Sequence, residues 1–197
     1  MKKIISFLNI PRIILPTIFY LSRRGRIVIN KDLERLNYMI PFKAASLGGF
    51  WYGMVWNYAF REIVYFRMRN SGKVFKLLAY LNEIILSNRC QIEISGDIDE
   101  GFAIFHGQGT IIHCHAAGKN FSVYQGVTIG RKDTGREDSR DKPIIGDNVT
   151  VFTSAVVAGG ITIGDNVTIG AGAIVFKDIP SNCIVAGNPA KIIQELV

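Results

Sequence analysis

A six-residue repeat of aliphatic residues constrains this chain more than any other feature. An aliphatic residue returns every six positions: Ile145, Val151, Val157, Ile163, Ile169 and Val175. A small or apolar residue follows each of them by four positions: Val149, Ala155, Ile161, Val167, Ala173 and Ile179. This period fits a solenoid in which each hexad forms one short strand and a turn, with "GDN" at 146–148 and 164–166 at tight corners. The repeat predicts a narrow, parallel β-prism with the aliphatic side chains inside.

The same period runs backwards through the chain with two breaks. It passes through Ile129, Val123, Ala117 and Ile111, and then through Ile104, Ile98 and Ile92. The step from Ile104 to Ile111 is seven, which predicts one extra residue in "FHGQG", where His106 lies. Residues 130–143 contain no hydrophobic residue and are predicted to form a protruding loop. Irregular loops on a rigid scaffold are where function concentrates.

The residues before the repeat have a helical pattern. From Lys31 to about Ser87, apolar residues recur at spacings of three and four, with a break at 70–72. We therefore predict two parts, an α-helical N-terminal region at 1–89 and the β-helix at 90–197. An aromatic stripe in the helical part is interpreted as core or subunit contact rather than a ligand groove: Phe50, Trp51, Trp56, Tyr58, Phe60, Tyr65 and Phe66.

Charge and cysteine content narrow the choice of partners and compartment. The net charge of +7 would attract phosphate, nucleic acid or an anionic membrane. A stripe of interleaved aromatic and basic residues is absent, so nucleic-acid binding is not predicted. Three cysteines at unrelated spacings predict no disulfide framework and a reducing, cytoplasmic location.

Residues 1–26 begin with an apolar run that polar residues and prolines interrupt. The interruptions at Asn9, Pro11, Arg12 and Pro16 leave the run too short to span a membrane. Two interpretations stay open. The segment packs on its own or a neighbouring subunit, or it contacts the inner face of a membrane, with Arg23, Arg24 and Arg26 near anionic headgroups.

Residues 90–193 resemble the hexapeptide-repeat acyltransferases, whose fold is a left-handed parallel β-helix. The resemblance is to the serine acetyltransferase branch and its relatives that O-acetylate surface polysaccharides. It is carried by "GFAIFHGQGTIIH", "VYQGVTIG", "KPIIGDNV", "ITIGDNVTIGAGAIVFKDIP" and "IVAGNPAKII". The resemblance implies a mainly β fold, acetyl-CoA as donor, a homotrimer with active sites between subunits, and one essential histidine. That histidine aligns with His106.

The chemistry of acyl transfer agrees with this role for His106. Removing a hydroxyl proton as it attacks a thioester needs a side chain that titrates near neutral pH, and imidazole does so. Gly107 and Gly109 would let the backbone approach a substrate. Transfer is then direct, without an acyl-enzyme, and Cys114 is interpreted as a structural cysteine.

More than one residue could orient His106. In the serine enzymes a carboxylate fifteen residues before the histidine does so, and Gln91 stands at that position here. Glu93, two residues on, is predicted as the catalytic partner, and orientation by Gln91 or a backbone carbonyl stays open.

The three histidines also raise the question of a metal. His106, His113 and His115 would be the minimum set for a catalytic zinc. The γ-class carbonic anhydrases share the solenoid, but their metal histidines are widely spaced, so no metal is predicted. Instead, His113 and His115 line the acceptor cleft or fill the irregular coil.

The resemblance also bears on the acceptor and the donor site. Serine-specific members carry an acidic residue before the histidine and Arg-His before the next proline, where this chain has Phe105, Asp141 and Lys142. These differences favour a sugar hydroxyl as acceptor, with Phe105 and Tyr124 as stacking faces. Serine O-acetylation and a noncatalytic β-helix scaffold remain the alternatives. Four positions matched to the family are predicted to bind acetyl-CoA: Gly130, Thr153, Ala171 and Lys191.

Overall fold

The chain divides into two compact units, Met1–Cys90 and Gln91–Val197. The computed structural model describes residues 2–41, 43–85, 91–131 and 141–196, and the side chains of all these except 2–10 and 85. Most of the predicted protruding loop 130–143 lies outside the described residues. Among the described helices, none is long and apolar enough to cross a membrane.

The described part of the first unit contains five α-helices, in agreement with the predicted helical region. They are α1 Lys2–Leu21, α2 Arg23–Arg35, α3 Leu47–Trp56, α4 Tyr58–Arg69 and α5 Lys73–Ile85. The side chains of Ser22, Ser46 and Asn57 cap α2, α3 and α4 by accepting hydrogen bonds from the backbone N–H three residues on. The break predicted at 70–72 separates α4 from α5, which confirms it.

Helix α1 continues through both of its prolines, although the apolar run looked interrupted in the sequence. Pro16 has no N–H, so the carbonyl of Arg12, four residues earlier, loses its helical donor. Asn82 on α5 replaces that donor, with Nδ2 3.3 Å from the Arg12 oxygen. The same amide group donates to the Tyr65 hydroxyl at 3.0 Å. A buried polar side chain from another helix therefore compensates for the proline.

The aromatic stripe of the helical unit is largely core, as interpreted. Phe50, Phe60, Tyr65 and Phe66 are buried, whereas Trp51 and Trp56 remain 42% and 41% exposed. A buried ion pair joins α2 to α4 beside this core, with Arg67 Nε 2.9 Å and Nη2 3.0 Å from the two carboxylate oxygens of Asp32. Paired, bidentate hydrogen bonds are the condition under which two charges are tolerated in a core.

The second unit is a parallel β-helix with three faces, and the predicted fold class is confirmed. Strands β1 Ile92–Ile98 and β3 Thr110–Ala117 bend across two faces. The first face continues with β5 Thr128–Gly130, β8 Val156–Ala158 and β11 Ile174–Val175, and the second with β6 Ile144–Ile145 and β9 Thr162–Ile163. The third face contains β2 Ala103–Phe105, β4 Ser122–Tyr124, β7 Thr150–Val151, β10 Val167–Ile169 and β12 Cys183–Ala186. An antiparallel strand, β13 Lys191–Glu195, closes the third face.

The interior of the β-helix is filled by the repeating aliphatic residues. All six members of the series from Ile145 to Val175 are at most 3% exposed. The companion series from Val149 to Ile179 is also buried. Each six-residue repeat therefore adds two apolar side chains to a continuous core, which explains why the six-residue period was visible in the sequence.

One edge of the prism, where the second face turns into the third, repeats the same turn four times. We call it the asparagine edge, because each turn ends in an asparagine with φ between 55° and 60°: Asn120, Asn148, Asn166 and Asn182. The amide Nδ2 of each of the first three donates to the Oδ1 of the asparagine in the next coil, at 2.9, 3.0 and 2.8 Å. Asparagine tolerates this left-handed backbone better than most side chains.

The "GD" that begins two of these turns, at 146–147 and 164–165, also has a physical reason. A Cβ on Gly146 would lie 2.3 Å from Asp165 Oδ1 and 2.8 Å from the Gly164 carbonyl carbon. The Asp165 carboxylate occupies this space because it accepts a hydrogen bond from the Asp147 N–H at 2.7 Å. Glycine is thus required for close stacking of successive coils.

Candidate active site

The first irregularity of the β-helix places His106 on a distorted turn. His106 follows directly after β2 and has φ of 65°, and Gly107 and Gly109 have φ of 49° and 66°. The Gln108 N–H donates to the His106 carbonyl at 2.7 Å, which closes the turn. The His106 side chain is exposed. A left-handed backbone is uncommon at residues other than glycine, although histidine adopts it more often than most, and such strained positions cluster at functional sites.

The turn is longer than the sequence indicated. The structure buries Ile112 in the core and leaves Ile111 only half-buried, with Ile112 paired to Ile129. The predicted inward position of Ile111 was therefore wrong by one residue. The error has a physical cause, because the six-residue spacing from Ala117 indicates Ile111, whereas strand pairing places Ile112 in the core only five residues before Ala117.

A second edge of the prism, where the third face turns into the first, carries this turn. We call it the histidine edge and define it by four stacked turns: 106–109, 125–126, 153–154 and 171–172. Backbone hydrogen bonds link them in order, from Gly126 N to Gln108 O at 2.9 Å, Ser154 N to Gln125 O at 3.0 Å, and Gly172 N to Thr153 O at 2.9 Å. Two of the predicted donor-binding residues, Thr153 and Ala171, thus lie on the same edge as His106.

The backbone is accessible along this part of the molecule. A Cβ placed on Gly109, Gly130 or Gly172 would meet no atom within 4 Å. Gly109 and Gly172 need glycine for their φ of 66°, whereas Gly130 ends β5 and pairs with Ala158 on the first face. An extended ligand can therefore approach the main chain at three positions, each on a different coil.

Lys191, the fourth predicted donor-binding residue, lies at the far end of the β-helix on β13. Its side chain lines an apolar cavity of about 190 Å³ together with Lys177, Ile174 and Pro189. Both lysines are exposed. Two ammonium groups beside an apolar recess suit a ligand that combines phosphate with apolar groups. Lys177 was not predicted, since no pattern in the sequence indicated that it would lie beside Lys191.

The two predicted stacking residues are part of an aromatic ladder. The Phe105 ring lies 4.9 Å from the Tyr124 ring, and the Tyr124 ring stacks on Phe152 at 4.8 Å between centroids. Phe105 is only 7% exposed. Because Phe105 and Phe152 cover the two faces of Tyr124, the ladder leaves neither predicted ring free to stack on a sugar.

The structure pairs Glu93 with a different histidine from the one expected. Its Oε2 lies 3.3 Å from Nε2 of His113, on side chains that are 66% and 40% exposed. Strand pairing explains the contact, since Ser95 lies opposite His113 and Glu93 opposite Ile111, so the two side chains are diagonal neighbours on one face. Glu93 therefore has an imidazole partner that it was not predicted to have.

Cys114 is unsuited to nucleophilic chemistry. Burial raises the pKa of the Cys114 thiol to about 11, and the thiol lies 3.7 Å from the Ser95 carbonyl. A buried, protonated thiol is a poor nucleophile. Within the described ranges, no group of three or more His, Cys, Asp or Glu side chains is arranged to hold a metal ion.

Comparison with known proteins gives one repeat family and one set of relatives. The family description "Bacterial transferase hexapeptide (six repeats)" matches residues 142–177. The chain is 35% identical over 129 residues to serine acetyltransferase 2 of Arabidopsis thaliana, covering 65% of this chain and 39% of that protein. The chain spans less than half the length of the curated relatives it matches.

Solved structures agree with these matches. A crystal structure of Neisseria gonorrhoeae serine acetyltransferase in complex with serine superposes with a TM-score of 0.64 at 28% identity, covering 84% of this chain and 67% of that one. The fold is also shared with the serine acetyltransferase of Brucella abortus in complex with coenzyme A, with a TM-score of 0.68 at 22% identity, covering 92% and 72%. The repeats and the relatives together make the chain similar to serine acetyltransferases of the hexapeptide-repeat type.

Proposed function

We propose that this protein transfers the acetyl group of acetyl-CoA to an alcohol hydroxyl, with His106 as the general base. The observation that carries the proposal is the exposed imidazole held on a left-handed turn at the head of an edge whose backbone is open to a ligand. The similarity to serine acetyltransferases supports the same chemistry.

The proposed reaction is a single acyl transfer. A ring nitrogen of His106 accepts the hydroxyl proton while the hydroxyl oxygen bonds to the thioester carbonyl carbon. The resulting oxyanion would be stabilised by a nearby backbone N–H. The carbon–sulfur bond then breaks, and the leaving thiolate takes the proton from the imidazolium. Cys114 takes no part, because its thiol is buried and protonated.

We further propose that acetyl-CoA lies along the histidine edge. Its pantetheine chain would approach the main chain at Gly130, Thr153 and Ala171, and its phosphates would meet Lys191. The open glycine positions and the two lysines beside the apolar cavity support this arrangement. An exposed edge covers only one side of such a ligand, so we propose a homotrimer in which a neighbouring subunit covers the other side.

For the acceptor, the relatives favour L-serine over the sugar predicted from sequence, because the solved and curated neighbours are serine acetyltransferases. The aromatic ladder also removes the stacking faces on which the sugar proposal partly depended. One observation still favours a sugar hydroxyl as second candidate. Phe105, the residue before His106, is uncharged and buried, so it offers no carboxylate for the ammonium group of serine.

The test of the activity compares two histidine variants. CoA release from acetyl-CoA is measured with L-serine as acceptor for the unchanged protein, His106→Gln and His115→Gln. His115 is also exposed but lies off the histidine edge, so its variant separates loss of the base from loss of a histidine that only lines the cleft or fills the coil. We expect His106→Gln to lower kcat by roughly a hundredfold or more, the usual contribution of a general base. Equal rates for His106→Gln and the unchanged protein would overturn the proposal.

The acceptor is tested separately with the unchanged protein. Its kcat/KM is measured with L-serine and with a panel of free sugars and sugar nucleotides at the same acetyl-CoA concentration. A clear preference for L-serine supports the first candidate. Transfer to a sugar with L-serine inactive would reject serine while leaving the role of His106 in place.

A further inference from the structure

The two units of the chain carry opposite net charges. Residues 1–90 contain fifteen Lys and Arg against four Asp and Glu, a net charge of +11, and residues 91–197 contain eight against twelve, a net charge of −4. The whole positive excess therefore belongs to the helical unit. A strongly basic unit attached to an acidic one indicates an anionic partner for the basic unit.

The helical unit also exposes an aliphatic stripe on α1. Ile14, Ile18 and Leu21 are 55%, 50% and 54% exposed. Their spacing of four and three places them on one side of the helix, while Phe19 and Tyr20 on the other side are buried. This α1 stripe is an unpartnered apolar surface within the part of the chain that the structure describes.

The stripe ends at a fixed corner that presents three arginines. Ser22 Oγ donates to the Phe19 carbonyl at 2.7 Å and accepts from the Gly25 N–H at 3.0 Å, which holds the turn from α1 into α2. Arg23, Arg24 and Arg26 are all exposed at this arginine corner. They form no ion pair with any residue that the structure describes.

We propose that the α1 stripe and the arginine corner dock the helical unit on an anionic lipid surface. The aliphatic side chains enter the region between headgroups and acyl chains, and the guanidinium groups pair with lipid phosphates. Charge selects this occupant over a second copy of the chain, because a second helical unit would bring another net +11 against the same corner. The proposal does not depend on acetyl transfer by the β-helix.

The test is co-sedimentation of the full chain with two kinds of vesicle. We expect binding to mixed phosphatidylglycerol and phosphatidylcholine vesicles, and little binding to phosphatidylcholine alone. Binding should weaken as NaCl is raised, because salt screens charges at the surface. Equal sedimentation with both vesicles, or with neither, would show the proposal to be wrong.

Two pairs of variants locate the surface. The charge reversal Arg23→Glu, Arg24→Glu and Arg26→Glu should weaken binding to anionic vesicles by roughly tenfold or more, since each basic residue near the membrane contributes. The control reversal Lys43→Glu, Lys73→Glu and Lys76→Glu changes net charge equally on exposed side chains elsewhere in the unit, and should weaken binding much less.

The second comparison tests the apolar side chains. The double variant Ile14→Gln with Ile18→Gln on α1 is compared with a control, Leu77→Gln with Leu81→Gln, on the exposed side of α5. Only the α1 pair should lower vesicle binding. Equal losses in either comparison would exclude the α1 surface as the docking site. If the α1 pair instead lowers the molar mass in solution without changing vesicle binding, the stripe is an interface between copies and the proposal fails.

Discussion

The asparagine edge and the histidine edge belong to the same β-helix but differ in how their space is filled. On the asparagine edge, three amide hydrogen bonds link four successive turns, two aspartate carboxylates accept from the backbone of the preceding coil, and a Cβ on Gly146 would overlap its neighbours. On the histidine edge the first turn is longer than the others, and a Cβ on Gly109 or Gly172 would meet nothing. The repeat thus stabilises one edge and leaves the other open to a ligand.

The largest effect is expected from Gly146→Ala on the asparagine edge. The added methyl group would overlap the Asp165 carboxylate and the backbone of Gly164, so stacking of two coils must change. We expect a loss of about 3 kcal/mol in the free energy of unfolding, the upper part of the range for overpacking. Urea denaturation followed by far-UV circular dichroism measures it. A loss as small as that of Gly130→Ala would contradict the tight packing of this edge.

The next largest loss of stability is expected from removing the amide hydrogen bonds of Asn148 on the asparagine edge. Alanine there removes two side-chain hydrogen bonds, to Asn120 and Asn166, and leaves a Cβ on a backbone with φ of 57°. We expect Asn148→Ala to cost about 2 kcal/mol, from bonds and backbone together. Asn148→Gly separates the two parts, because glycine restores the backbone freedom and should recover about half of the loss. Equal losses in both variants would show that the backbone conformation contributes nothing.

On the histidine edge, by contrast, a substitution should raise the free energy of unfolding. His106→Gly removes a side chain from a left-handed position, so we expect the free energy of unfolding to rise by about 1 kcal/mol. Thermal denaturation of the variant and the unchanged protein measures the difference. A destabilised His106→Gly would mean that the histidine supports the fold, which is contrary to a residue retained for function.

The smallest effect on stability is expected at Gly130. Its Cβ position is open and its backbone is an ordinary strand, so Gly130→Ala should change the free energy of unfolding by less than about 0.5 kcal/mol. The same methyl group lies where we propose that pantetheine approaches the main chain, so the KM for acetyl-CoA should rise. An unchanged KM would remove Gly130 from the donor site.

The sequence was informative wherever a residue type had a single geometric role. The aliphatic hexads and the "GDN" turns identified the β-helix because the prism interior accepts only apolar side chains and its corners need left-handed backbone. The break containing His106 was located for the same reason. Its length was misjudged, since the six-residue spacing from Ala117 indicated Ile111, whereas pairing with Ile129 places Ile112 in the core.

The remaining site features depend on contacts between distant residues, which no local pattern encodes. Glu93 contacts His113 because of the register in which β1 and β3 pair. Lys177 and Lys191 line the same cavity because β13 folds back on β12. Tyr124 lies between the rings of Phe105 and Phe152, which are nineteen residues before it and twenty-eight residues after it in the sequence. The continuity of α1 through Pro16 likewise depends on Asn82.

The rate of CoA release by His106→Gly, with saturating acetyl-CoA and acceptor, tests the central claim most directly. The turn keeps an unfavourable backbone for the sake of an imidazole that acts as a base, so we predict a folded variant that releases CoA roughly a hundredfold or more slowly. A variant that works within about threefold of the unchanged protein would contradict the account, because general-base catalysis contributes far more than that.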